Sequence, residues 1–178
     1  MQIMDRYDGH IIYTIGHSTH ELNTFLKMLT SFSVQVLVDI RRFPASRKFP
    51  QFNKQSLEAS LLSRGFGYVH FSAMGGRRPV KKDSKNTRWQ NESFRGYADY
   101  METEDFKTAI TQLEALALKK TVALMCSESL WWRCHRSMVA DYLKARGWKV
   151  LQIMTVNKAE EHPYTSPARV VGSEVFYN

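Results

Sequence analysis

Cys126-Ser127-Glu128 and, a few residues on, Arg133-Cys134-His135-Arg136 put two thiols, a carboxylate, an imidazole and two guanidinium groups into one short stretch. Glu128 with His135 can move a proton or activate a water, and neighbouring arginines can hold an anion or stabilise developing negative charge. Cys134, beside His135 and near an expected helix start, is the thiol whose pKa should be depressed; the alternative is that it simply packs as a small buried residue. A phosphatase-type cysteine loop is excluded by counting, because Trp132 stands where that loop requires its arginine. Zinc chemistry on Cys126, Cys134 and His135 is disfavoured too. Structural zinc sites pair their cysteines closely and take four ligands, and adjacent residues usually point apart. No metal site and no cofactor are expected.

Positioning such groups requires a strand that delivers them and a helix that follows. Residues 121–125 are apolar and β-prone, and Met138, Val139, Tyr142 and Leu143 recur at helical spacing before Gly147 supplies a stop, so the reactive stretch is a strand-to-helix turn. In parallel α/β sheets these turns lie at the carboxyl ends of the strands, where ligands bind. Two further turns qualify. After a strand expected at 10–15 comes Gly16-His17-Ser18-Thr19, in which Ser18 or Thr19 can cap the next helix and so offer a helix N-terminus to a phosphate or carboxylate. After a strand expected at 34–40, Asp39 is followed by Arg41, Arg42, Ser46 and Arg47.

The remaining pattern alternates. Helices are expected at 21–31, 55–64, 94–101, 103–119 and from about 133, with strands at 68–71 and 149–153. The segment 10–40 reads as a βαβ unit, 75–90 as an irregular basic loop, and the stretch after Val156 as aperiodic. The predicted fold is therefore a single three-layer α/β domain over residues 1–178, Rossmann-like, with a mostly parallel sheet of about five strands. At 178 residues and 43% hydrophobic content the chain holds one substantial core. It has no signal-like N-terminus and no apolar run of membrane-crossing length, so a cytoplasmic protein with reduced thiols and no membrane association is expected.

Charge is concentrated. Residues 41–95 hold thirteen Lys and Arg against three acids, a balance of +10, so with +8 overall the remaining residues sum to −2. Phe43, Phe49, Phe52, Phe66, Tyr68, Phe71, Trp89 and Phe94 are threaded among them. Cations that meet phosphates and rings that stack on bases suit a nucleic acid, DNA rather than RNA, or a nucleotide; the alternative is a solvated basic face over core aromatics.

Thr14-Ile15-Gly16-His17-Ser18, Asp39-Ile40-Arg41 with Pro44, Ser46 and Arg47, the Gly75-Gly76 pair, Cys126-Ser127-Glu128 and Cys134-His135-Arg136 together resemble the domain of unknown function 488 family. Met74 stands where many members have Leu, a conservative change. The resemblance implies no settled activity, although some members carry a DNA-repair label.

The expected function is an enzyme acting on a nucleic acid or nucleotide by hydrolysis or base removal. Glu128, His135, Asp39 and Cys134 are its candidate catalytic groups. Gly16, His17, Ser18, Arg41, Ser46, Arg47, Arg77, Cys126 and Arg136 are its candidate substrate-binding groups. Trp131 and Trp132 divide between a core residue and a stacking surface. Two alternatives stand beside this reading: a non-catalytic nucleic-acid-binding module, and a thiol-dependent enzyme on a small anionic substrate.

Overall fold

The structure is a computed structural model and describes Tyr7 and residues 9–178. Hydrophobic periodicity yields an alternation of β1 (Ile11–Gly16), α1 (Leu22–Ser31), β2 (Val36–Asp39), α2 (Lys54–Leu62), β3 (Gly67–His70), α3 (Glu92–Met101), α4 (Glu104–Ala117), β4 (Val122–Cys126), α5 (Arg136–Ala145) and β5 (Lys149–Thr155). Three short strands follow: β6 (Lys158–Glu161), β7 (Arg169–Val171) and β8 (Glu174–Phe176). Strands β1 to β6 form one sheet in the order β3-β2-β4-β1-β5-β6, parallel except for β6, and β7 with β8 forms a separate hairpin. The sheet thus has one strand more than expected. Among the described residues, no helix is long and apolar enough to cross a membrane.

Alternation along the strands assigns the layers. Ile12, Val36, Val38, Val122, Leu124 and Val150 pack in one core with α3, α4 and α5. Ile15, Leu37, Ala123, Met125 and Ile153 pack in the other with α1 and α2. Residues 122–126 are buried throughout, as a strand covered on both faces must be.

The βαβ unit of residues 10–40 has a correction inside it: β4 lies between β1 and β2 and pairs in parallel with both. This insertion makes the site. The chain leaves β1 into α1 on one face and leaves the adjacent β4 into α5 on the other, which opens a crevice above their carboxyl ends. Register sets Gly16 beside Cys126 and Asp39 beside Met125, so all three predicted turns begin level.

Local chemistry trims the helices. Thr103 caps α4 by accepting from the Phe106 amide, and Glu104 and Asp105 in its first turn suit the helix dipole. Asn91 caps α3 through the Ser93 and Phe94 amides. Helix α1, however, begins at Leu22 after Glu21 with no side-chain cap, so neither Ser18 nor Thr19 caps it and no anion site of that kind is built there. Ser18 instead turns the chain at φ 46°.

Residues beyond β5, aperiodic in sequence, are fastened by one buried carboxylate. Asp141 on α5 accepts hydrogen bonds from His162 Nε2 (2.8 Å), the Thr165 amide (2.9 Å), the Thr165 hydroxyl (2.5 Å) and the Tyr177 hydroxyl (2.9 Å). Gln152 links the His162 ring to Thr14 on β1.

Candidate functional site

A cleft of about 810 Å³ opens at the carboxyl edge of β1, β2 and β4. Its walls come from all three turns, from Gly76 and Arg77, and from Asn91, Ser93 and Phe94 at the start of α3. Four arginines (Arg41, Arg42, Arg77 and Arg133) line it, against the single carboxylate of Glu128. An anion therefore finds an electropositive cavity whose walls limit screening.

The floor is an arginine without an acid. Arg136 is 2% exposed, and no carboxylate pairs with it among the described residues. Its guanidinium donates to the carbonyls of Glu128 (Nη1, 2.9 Å) and Ser129 (Nη2, 3.1 Å) and to Cys126 Sγ (Nη1, 2.9 Å), while Nε has no partner. A buried cation requires a counter-charge or carries a heavy desolvation cost, and the Cys126 thiolate is the anion in reach. Cys134 Sγ lies 2.7 Å from Cys126 Sγ and donates to it. Burial acts to raise the Cys126 thiol, but the Cys134 hydrogen bond and the Arg136 charge outweigh it and bring the pKa to about 7. Cys134 moves the opposite way, raised well above the ordinary thiol range by burial and then by Cys126. The expected order of the two thiols is therefore reversed. Cys134 has the helix-start position, yet the guanidinium reaches Cys126.

Gly16 makes this floor possible. A β-carbon there would lie 1.8 Å from the Glu128 carbonyl oxygen and 2.9 Å from Arg136 Nη1. Without one, the β4 turn folds directly over β1, and the His17 and Ser18 amides extend the pairing to the carbonyls of Cys126 and Ser127 (both 2.9 Å).

Asp39 is placed to hold Arg41 rather than to act as a base. Its oxygens accept from Arg41 Nε (2.9 Å) and Nη2 (2.6 Å), from the Arg41 amide (3.0 Å) and from the Tyr68 hydroxyl (2.7 Å), and the carboxylate is fully buried. Arg41 Nη1 then donates to His17 Nε2 (3.3 Å), leaving His17 Nδ1 to donate to the Ser18 carbonyl (3.0 Å). His17 stacks on Phe52 at 4.3 Å, and burial holds its pKa down at about 4. It is a neutral wall that keeps Arg41 aimed.

His135 is likewise neutral. Burial lowers it to about 4, and its Nε2 donates to the Ile40 carbonyl (3.1 Å), which leaves the Nδ1 lone pair 3.6 Å from Cys134 Sγ. Gly76 lies against this ring, where a β-carbon would come within 2.9 Å of Nδ1.

Of the other candidates, Ser18, Ser46 and Arg77 line the cleft. Glu128 lines it too, with an exposed side chain. Arg47 is exposed beside the cleft-lining Ser46 without itself lining the cleft, and Arg136 lies beneath the walls. Trp132 is 48% exposed, while Trp131 packs edge-on against His162. The basic loop is built around Asp99, which accepts from Lys81, Ser84 and Asn86. Arg78, Arg88 and Arg95 of that segment donate to backbone carbonyls, which leaves Arg77 as its cation in the cleft. Sequence reasoning missed Tyr68, Arg42, Arg133 and the start of α3. Arg42 and Arg133 stood inside motifs already singled out, and Tyr68 and Phe94 stood only among the aromatics of the basic segment.

The model of a family described as Domain of unknown function DUF488 matches residues 21–143. That span includes β2, β4, both cysteines and the start of α5. No curated protein and no solved structure matches the chain.

Proposed function

We propose that this chain, which belongs to the DUF488 family, is an enzyme acting on a nucleotide or nucleic acid, and that its cleft holds the substrate's phosphate beside the Cys126 thiolate. The observation that carries this reading is the pairing of that thiolate with a buried, acid-free Arg136 under a cavity walled by four other arginines. Arg42, Arg77 and Arg133 supply charge at the rim, and Arg41, braced by Asp39 and His17, supplies an oriented donor. The thiolate attacks an electrophilic centre next to the bound phosphate and displaces the leaving group. Water then releases the thiol and completes a hydrolysis. Glu128 at the rim carries the proton between water and leaving group. Arg136 is a positioning residue: it sets the charge of Cys126 and touches no substrate. Phe43, 65% exposed in the cleft wall, offers a ring on which a base stacks.

Alkylation of Cys126 tests the binding half of this proposal. At low salt, nucleotides or short oligonucleotides should protect Cys126 saturably, and the combined Arg42→Glu, Arg77→Glu and Arg133→Glu substitutions should abolish protection. An alkylation rate indifferent to inorganic phosphate, nucleotides and oligonucleotides alike rules the reading out. Turnover is sought on free nucleotides and on oligonucleotides carrying uracil, hypoxanthine or alkylated bases. On the substrate found, Cys126→Ser and Glu128→Gln should each lose about 10²- to 10⁴-fold in rate.

A further inference from the structure

Two reduced thiols meet sulfur to sulfur at the cleft wall, and the reaction proposed above uses one of them. Cys126 and Cys134 come from different elements, the end of β4 and the residue before the α5 cap, so both approach from firmly held backbone. Their sulfurs are 2.7 Å apart. A disulfide bond is about 2.05 Å long, so closing one asks for less than about an ångström of movement. Each thiol has a separate device at its sulfur. Arg136 Nη1 donates to Cys126 at 2.9 Å, and the Arg136 amide, at the start of α5, points to Cys134 Sγ at 3.4 Å. His135 Nδ1, left without a proton by the Nε2 hydrogen bond to Ile40, lies 3.6 Å from Cys134 Sγ.

We propose that Cys126 and Cys134 are a hydroperoxide-reactive pair, in which Cys126 is oxidised and Cys134 resolves it to an intramolecular disulfide. In the first step the Cys126 thiolate attacks one oxygen of a hydroperoxide. The sulfur–oxygen bond forms as the oxygen–oxygen bond breaks, two electrons pass from sulfur to peroxide, and the departing alkoxide or hydroxide takes a proton from water. Cys126 is then a neutral sulfenic acid. Its negative charge no longer opposes ionisation of Cys134, whose proton goes to the sulfenic hydroxyl as that group departs. The Cys134 thiolate attacks Cys126 Sγ, the sulfur–oxygen bond breaks, and hydroxide leaves with the proton as water. Two thiols and one hydroperoxide thus give a disulfide, one alcohol or water, and one further water. The substrate proposed for the cleft plays no part in these steps, so either proposal can fail alone.

The experiment uses the full, reduced chain with one equivalent of hydrogen peroxide at pH 7, followed by alkylation, intact mass and peptide mapping. The expected product has lost about 2 Da and both thiols, carries a Cys126–Cys134 cross-link, and reverts with dithiothreitol. With half of Cys126 ionised at pH 7, the reaction should run about 10-fold faster than that of free cysteine. Cys134→Ser should stop at a Cys126 sulfenic acid that dimedone traps, and Cys126→Ser should leave Cys134 unoxidised. If either variant misfolds, the order in which the two wild-type cysteines acquire dimedone decides the matter. No cross-link, over-oxidation of Cys126 without one, Cys134 reacting first, or a rate no faster than free cysteine overturns the proposal.

Discussion

Arg136→Met removes the guanidinium that touches Cys126 while keeping most of its length, and so separates charge from packing. Cys126 sits at about 7 instead of the ordinary 9.0, so at pH 7 about half of it is thiolate. Without the cation the thiol rises from about 7, held down only by the hydrogen bonds from Cys134 and at the Glu128 carbonyl, so well under half of it is ionised at pH 7. Alkylation of Cys126 should therefore slow by about 10-fold. Stability should change with pH as well. Because the folded pKa lies below the unfolded one, the unfolded chain binds this proton more tightly. The thiolate–guanidinium pair therefore contributes stability that is complete above pH 9 and fades as pH falls through 7. Two units of pKa correspond to about 3 kcal/mol. Above pH 9, Cys134 acts in the other sense, since its raised pKa favours the unfolded chain there, so the useful window is pH 7 to 9. Urea unfolding of both proteins under reducing conditions, at intervals across that window, measures the difference. The wild type should gain about 1–2 kcal/mol relative to the variant between pH 7 and pH 9. Parallel pH profiles, or undiminished Cys126 alkylation in a folded variant, would refute the thiolate–guanidinium argument.

Gly16→Ala drives a methyl group to 1.8 Å from the Glu128 carbonyl. It should cost at least about 3 kcal/mol by pushing the β4 turn away and breaking the hydrogen bonds that Arg136 donates to it, and an unchanged melting temperature would contradict the described packing. His17, held at about 4 against an ordinary 6.5, takes up its proton first in the unfolded chain. Stability should fall by up to about 3 kcal/mol as pH drops from 6.5 towards 4. His17→Gln should remove its share of that slope and leave the share of His135, which burial holds down in the same way, and identical acid unfolding of both proteins would count against it. For oligonucleotide binding, the combined Arg42→Glu, Arg77→Glu and Arg133→Glu substitutions should flatten the salt dependence by about 0.7 to 0.9 for each phosphate no longer neutralised. A slope that does not move would exclude these arginines from phosphate binding.

Much of this frame was legible because it is local. The five main helices and the strands through β5 announce themselves by periodicity, and Thr103 marks the start of α4. The three site turns follow from those strands, since the carboxyl ends of a parallel sheet open on one edge, but their meeting in one cleft depends on β4 lying between β1 and β2. What was not legible depends on partners distant in sequence. The place of β4 between β1 and β2 is a property of the whole sheet. Arg136 looked like a phosphate ligand because it opens a helix, yet the glycine at position 16 leaves room for the Glu128 carbonyl to draw it inward. Asp39, a candidate catalytic group by residue type, has its lone pairs closed by Arg41 and, from the distant β3, by Tyr68. Strand β6, with Lys158, Glu160 and Glu161 exposed, is an edge strand whose polarity hides its period.

The Asp141 cluster imposes an order on biosynthesis. While the chain is emerging, residues 11–145 can already bring β1, β2, β3 and β4 into register and fold the cleft turns over one another. Asp141 is by then inside α5, but every group that satisfies its carboxylate lies between His162 and Tyr177. A buried carboxylate left unpaired costs several kcal/mol, so α5 cannot seat fully until that later segment has been made. The cleft is thus drafted early and locked late. A chain interrupted before residue 162 would carry all of the candidate chemistry on a scaffold whose fifth helix lacks every partner of its buried carboxylate.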